Sequence, residues 1–228
     1  MSLFTYRIPH DGGSAPNPFW GICTLAICKP GIRRTARPGD WVAGLGARAA
    51  RNGRGYDGKL VYAMRVDEVI PFDEYDLRFT EKRPDLASED PRRWVGDNLY
   101  DCSGRNVRQR DGAHDREHQE WDLSGRNVLV SRQFAYLGSE PEPLPFGLRY
   151  LSERTFRNYT KWGEDVEEQL VQWLLSLPLE WNVPMSEPQL WPPTYLLPRR
   201  RLRPSAAWCR MARRQPPILA SKTVRRTC

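Results

Sequence analysis

PGDWVAGL at residues 38–45 and KLVYAMRVDEVI at residues 59–70 decide how this chain folds. Pro38-Gly39-Asp40 is a turn, and residues 41–45 restart the chain as a strand. Residues 59–70 read as a long strand, with Leu60, Tyr62, Met64 and Val66 alternating against Val61, Ala63 and Arg65. Upstream, residues 3–8 give a first strand, residues 10–18 a turn-rich break, and FWGICTLAIC at 19–28 a strand buried on both faces. Lys29-Pro30-Gly31 ends that strand and leaves a short basic segment at 32–37, while the Gly/Arg-rich stretch 46–58 has no periodicity and is expected to be mobile. Downstream, residues 127–131 and 133–138 return to strand character. Residues 164–177 form an amphipathic helix: Val166, Leu170, Trp173, Leu174 and Leu177 share a face, acidic residues fill its first turn, and Pro178 stops it. Between these lies a charged stretch, 76–120, longer than the roughly 15 residues a structureless loop usually reaches, so it is either an ordered functional excursion or partly disordered.

The chain has 228 residues and a formal net charge of +7. Ten of its 35 basic residues lie between 199 and 226, where no acidic residue occurs; the remainder carries 25 basic against 28 acidic residues, a net of −3. The overall charge alone suggests a nucleic-acid binder, but the folded part does not offer an extended basic track. The reading is therefore one domain over 1–180, followed by a Pro/Arg-rich disordered tail at 181–228. No secretory leader and no run of about 20 apolar residues is legible, which points to a cytoplasmic protein with no membrane partner. The five cysteines, including Cys23, Cys28 and Cys102, form no C-x-x-C pair and read as structural thiols.

The strand order around the Gly-Asp turn, followed by Tyr62-x-x-x-Val66, resembles the small β-barrels of the PUA-like group. The expected class is thus α+β: a small mixed or antiparallel barrel of PUA-like type with peripheral helices and a C-terminal amphipathic helix. A second resemblance is more specific. Asn17-Pro18-Phe19-Trp20-Gly21 through Lys29-Pro30, Ile32-Arg33-Arg34, Gly39-Asp40-Trp41-Val42, Leu60 to Val66, Gly96-Asp97-Asn98-Leu99-Tyr100, Val128 to Ser131 and Phe134 to Gly138 are similar to the nucleotide modification associated family, second type. That resemblance implies a setting of genes that make or handle modified nucleotides in bacteria and phages, and it implies no catalytic residues. Where relatives carry a Gly-His-Lys or Gly-His-Arg type segment before the last helix, this chain has Arg157-Asn158-Tyr159-Thr160-Lys161.

On this basis the expected ligand is a modified base, free or in DNA, with other proteins of a modification system as further partners and no cofactor. Trp20 and Trp41 are candidates for stacking on a base. Lys29, Arg33 and Arg34 are candidates for phosphate contacts. Asn17, Asp97 and Asn98 are candidates for a base edge, although each equally suits a turn or cap. Phe19 and Tyr62 read as core. An enzyme with Asp97 or Asp40 as acid/base, and a non-catalytic interaction subunit, are the alternatives. His114 and His118, four residues apart, read as surface histidines rather than metal ligands, and sequence alone places no base beside any cysteine.

Overall fold

The computed structural model describes residues 1–47, 55–155 and 158–197. Along the chain run β1 (Leu3–Ile8), β2 (Cys23–Leu25), α1 (Pro30–Thr35), β3 (Trp41–Gly46), β4 (Lys59–Arg65), β5 (Glu68–Pro71), α2 (Phe72–Arg78), α3 (Pro91–Trp94), β6 (Tyr100–Asp101) and β7 (Arg108–Gln109). They are followed by α4 (Gln119–Leu123), β8 (Asn127–Ser131), β9 (Gln133–Tyr136), β10 (Glu142–Pro143), α5 (Arg149–Arg154), β11 (Thr160–Trp162) and α6 (Glu164–Ser176). The α+β class is as read from the sequence. The strands form one open sheet in the order β10-β4-β3-β1-β11, with β9 also on β4, a second sheet β2-β8-β5, and the small ladder β6-β7. No closed barrel forms among the described strands.

The two larger sheets face each other across a core of Phe4, Tyr6, Val42, Tyr62 and Met64 from the first and Cys23, Leu25 and Leu129 from the second. On the outer face of the first sheet, Leu3, Trp41, Ala43 and Leu45 pack against Leu170 and Leu174 of α6. On the outer face of the second, Ile70, Val128 and Val130 meet Phe72, Tyr75 and Phe79 of the segment that begins with α2. A register shift at Gly44/Leu45 changes the strict alternation read for residues 59–66: Leu60 joins Ala63 on the α6 side, while Tyr62 and Met64 face the inner core. Such a bulge inserts one residue and swaps the faces beyond it. Gly44 permits the close packing there, since a Cβ would overlap Ile8 and Tyr62.

Three expectations change. The apolar run 19–28 is a strand only at Cys23–Leu25, because Trp20 (φ 61°), Gly21 (φ 72°) and Cys28 (φ 60°) bend the backbone at both ends. The basic segment after it is a helix, α1, with Pro30 in its first turn, where a missing N–H is harmless. The expected tail does not begin at 181. Asn182 N–H donates to the Phe134 carbonyl at 2.9 Å, Met185 N–H to Tyr136 at 2.9 Å, and Leu190 N–H to Asp11 at 2.9 Å, so residues 181–196 are laced onto the domain. The remaining tail from 198 and the core of the loop expected to be mobile, 48–54, lie outside the described residues. The charged excursion 76–120 is ordered, with helical turns at Thr80–Lys82, Pro91–Trp94 and Arg116–His118 and the β6-β7 ladder.

Candidate functional site

The bend that ends β2 carries two successive non-glycine residues in the left-handed region, Cys28 (φ 60°) and Lys29 (φ 43°). That region costs an L-residue about 1–2 kcal/mol, and persists only where the surroundings enforce it. Arg33, from the next turn of α1, enforces it. Its side chain is fully buried; Nε donates to the Cys28 carbonyl at 2.8 Å, Nη1 to the Asn127 carbonyl at 2.9 Å, and Nη2 to the Asp122 carbonyl. Gly125 leaves the space for the guanidinium, which a Cβ there would overlap.

What Arg33 draws together is a Cys-His-Asp row. The Cys28 Sγ lies 3.4 Å from His114 Nε2, and His114 Nδ1 lies 2.6 Å from Asp122 Oδ2. Asp122, fully buried on α4, also accepts the Tyr100 hydroxyl at 2.7 Å and, through Oδ1, the Cys28 N–H at 2.7 Å. Gln109 fixes the histidine's loop by donating to the carbonyls of His114 (2.8 Å) and Asp115 (2.9 Å). Burial opposes the charged imidazole, but the bonds to Asp122 and Cys28 outweigh it and lift the His114 pKa to about 10. Burial likewise opposes the Asp122 carboxylate; His114, Tyr100 and the Cys28 amide more than compensate and hold its pKa below the usual value. At neutral pH the histidine is therefore an imidazolium whose Nε2 faces the Cys28 sulfur.

Cys28, Lys29, His114 and Trp121 line a cleft of about 670 Å³, as do residues of the 9–15 loop and Leu190, Tyr195 and Leu196. Its volume falls within the roughly 300–1,000 Å³ typical of small-molecule sites. Trp121 (55% exposed) and Tyr195 (58%) present open aromatic surface there. The Lys29 ammonium sits 4.7 Å from the centre of the Tyr6 ring, and burial lowers its pKa. His118 stacks on His114 with ring centres 4.7 Å apart, and its own Nδ1 is taken by Asp115 at 2.6 Å. Among the described residues no three His, Cys, Asp or Glu side chains group as metal ligands.

Of the eight residues expected to touch a ligand, Lys29 alone lines this cleft. Arg33 is the internal clamp just described, and Arg34 is exposed and donates to Ser124 O at 2.7 Å. Trp41 is core, packed edge-on against Trp181. Trp20 lies edge-on to Phe19, with the Lys82 ammonium 5.5 Å from its ring. Asn17, Asp97 and Asn98 are buried and satisfied inside the protein. Asn17 Nδ2 donates to Gly13 O and Val95 O, and its Oδ1 accepts Lys82 Nζ at 2.7 Å. Asp97 accepts Tyr75 OH (2.6 Å), Thr24 OH (2.8 Å) and the Ala26 N–H (3.3 Å), and Asn98 Nδ2 bonds the Phe79 carbonyl at 3.0 Å. Asp40 caps its turn through the amides of Ser2 and Arg37, both at 2.9 Å. Phe19 and Tyr62 are core, as read. Cys28 stands 86 residues before His114, which is only eight before Asp122, and the one available hint was that two of the chain's three histidines fall in the long charged excursion.

These features define an α+β domain with a strained, histidine-paired cysteine lining a cleft. The chain matches the model of the Nucleotide modification associated domain 2 family over residues 1–192 and belongs to that family. That span includes the 181–192 stretch laced onto the sheet. No curated protein and no solved structure matches it. No helix among the described residues is long and apolar enough to cross a membrane.

Proposed function

We propose that this protein is a thiol-dependent enzyme of nucleotide modification, in which Cys28 attacks an electrophilic carbon of a nucleotide-borne group. The observation that carries this reading is the Cys28–His114–Asp122 row opening onto the cleft. In this reading the Cys28 thiol gives its proton to bulk water as its sulfur forms the bond to the substrate carbon, and that carbon's bond to the acceptor or leaving atom breaks with the electron pair going to that atom. The His114 imidazolium then gives its proton to the departing or developing negative atom, and Asp122 holds the ring in the tautomer and orientation this needs. Tyr100 and Arg33 act as positioning residues, one through the Asp122 carboxylate and the other through the Cys28 and Asp122 carbonyls. The family supplies the nucleotide setting.

The test is covalent capture. Full-length protein incubated with a panel of nucleotides bearing acylated, carbamoylated or halogenated base substituents should form an adduct on the Cys28 peptide by mass spectrometry. The C28S variant should form none. Turnover of such a substrate by C28S at the wild-type rate would end the proposal. A second reading, recognition of a modified base without chemistry, is favoured by the exposed Trp121 and Tyr195 rings in the same cleft. It predicts tight binding with no dependence on the thiol.

A further inference from the structure

Ser14, in the 9–15 loop, lines the same cleft as Cys28. It is only 6% exposed, and its hydroxyl meets no hydrogen-bond partner among the described residues. A buried hydroxyl left unmade costs about 1–3 kcal/mol, so native proteins seldom tolerate one without a reason. Its surroundings are not careless. Three residues earlier, Asp11 caps the Gly13 N–H at 2.9 Å and takes the Tyr136 hydroxyl, and three residues later Asn17 satisfies both ends of its amide. Gln109 and Gln189 also carry unpartnered buried atoms, but neither lines the cleft.

We infer that Ser14 selects the substrate: its hydroxyl hydrogen-bonds a polar edge of a ring-bearing anion the size of a nucleoside monophosphate. The inference rests on the cleft being the substrate site proposed above and names the group that reads the ligand there. Three chemistries meet in that cleft. Trp121 and Tyr195 offer ring faces, Lys29 offers a cation, and Ser14 offers both a donor and an acceptor. A site whose buried polar group is completed only by the right ligand rejects analogues lacking the matching atom far more strongly than a purely apolar pocket does.

The experiment measures binding and reactivity separately. Binding of dAMP, dGMP, dCMP, dTMP and 5-hydroxymethyl-dCMP, with deoxyribose 5-phosphate as the control without a base, is followed by calorimetry on the full chain carrying C28S. The expected result is that at least one nucleotide binds, the control without a base binds more weakly, and adding S14A weakens the nucleotide about tenfold. Because S14A removes an unpaired buried hydroxyl, it should leave the Tm of the ligand-free protein unchanged or raise it. If S14A instead lowers Tm, S14C, near-isosteric and a poorer hydrogen-bonder, carries the same comparison. Nucleotide affinity that is equal with Ser14 and without it, or no binding by any of the five, overturns the inference. Iodoacetamide labelling of Cys28 in the otherwise wild-type chain separates the two ideas. A reactive, His114-dependent Cys28 alongside Ser14-independent binding leaves the nucleophile and removes Ser14; Ser14-dependent binding with an inert Cys28 does the reverse.

Discussion

Two buried Tyr-Asp pairs sit on the outer side of the second sheet, and they have opposite fates. Tyr75 donates to Asp97 at 2.6 Å and Tyr100 donates to Asp122 at 2.7 Å. Around Asp97 everything closes. Thr24 and Ala26 complete the carboxylate, and nearby Lys82 spends its ammonium on Asn17 O, Asn17 Oδ1, Phe19 O and Ile22 O at 2.7–3.0 Å. Burial raises the Asp97 pKa despite the attraction of Lys82, and burial lowers that of Lys82 to about 8. Around Asp122 the network stays open at one end: its last members are a histidine and a cysteine that reach the cleft. A perturbed buried charge therefore does not mark a site by itself. The first cluster pins the 14–22 loop to the excursion; the second exposes a reactive atom.

If that contrast is right, the closed cluster should govern stability and the open one reactivity. Lys82→Met strands Asp97 and four acceptors in the interior, and urea unfolding should show a loss of about 3–5 kcal/mol, whereas C28S should change stability by less than about 1 kcal/mol. A K82M protein as stable as wild type would erase the distinction. The pH dependence sharpens it next. His114 has a folded-state pKa of about 10 against 6.5 for an ordinary histidine, so the stability it adds is fully present below pH 6.5 and is lost as pH rises through about 10. Wild type should exceed H114Q at pH 6 by on the order of 2 kcal/mol, with the gap shrinking toward pH 10 in matched urea titrations. Gly125→Ala pushes on the Arg33 guanidinium and should cost roughly 1–2 kcal/mol while also slowing Cys28 modification, because Arg33 holds both the Cys28 and Asp122 carbonyls. The smallest effect belongs to Asp11. Burial lifts its carboxyl to about 6, so the stability it contributes is present below pH 3.8 and is lost as pH climbs through 6. Asp11→Asn should flatten that part of the stability profile, a change of about 1 kcal/mol between pH 4 and 6.

Local pattern made the elements legible: the strand at Leu3–Ile8, the Gly-Asp turn into Trp41, the long strand from Lys59, and the helix beginning at Glu164 all follow from alternation, turn chemistry or an apolar stripe. What local pattern could not carry was how open sheets stack, or that a bulge beside Gly44 reverses the side Leu60 faces. The placement of the candidate residues has a related lesson. A short basic connection makes Arg33 a phosphate candidate and the family motif makes Asp97 a base-edge candidate, yet tertiary contacts bury both. Cys28 looked inert because its base stands 86 residues away on a loop without periodicity, and only the folded excursion brings His114 to it. Proline-rich 181–192 read as tail because its order comes from backbone bonds to Phe134, Tyr136 and Asp11 rather than from a hydrophobic stripe.

The most direct test of the central claim is peptide-resolved iodoacetamide labelling at pH 7 in wild type and H114Q. Cys23 is fully buried and Cys102 lies outside the cleft lining, whereas Cys28 lines the cleft beside His114, so Cys28 should react faster than either, and its rate should fall at least about tenfold in H114Q. Equal Cys28 rates in the two proteins, or a Cys28 no faster than Cys102, would contradict the assignment of Cys28 and His114 as a working pair.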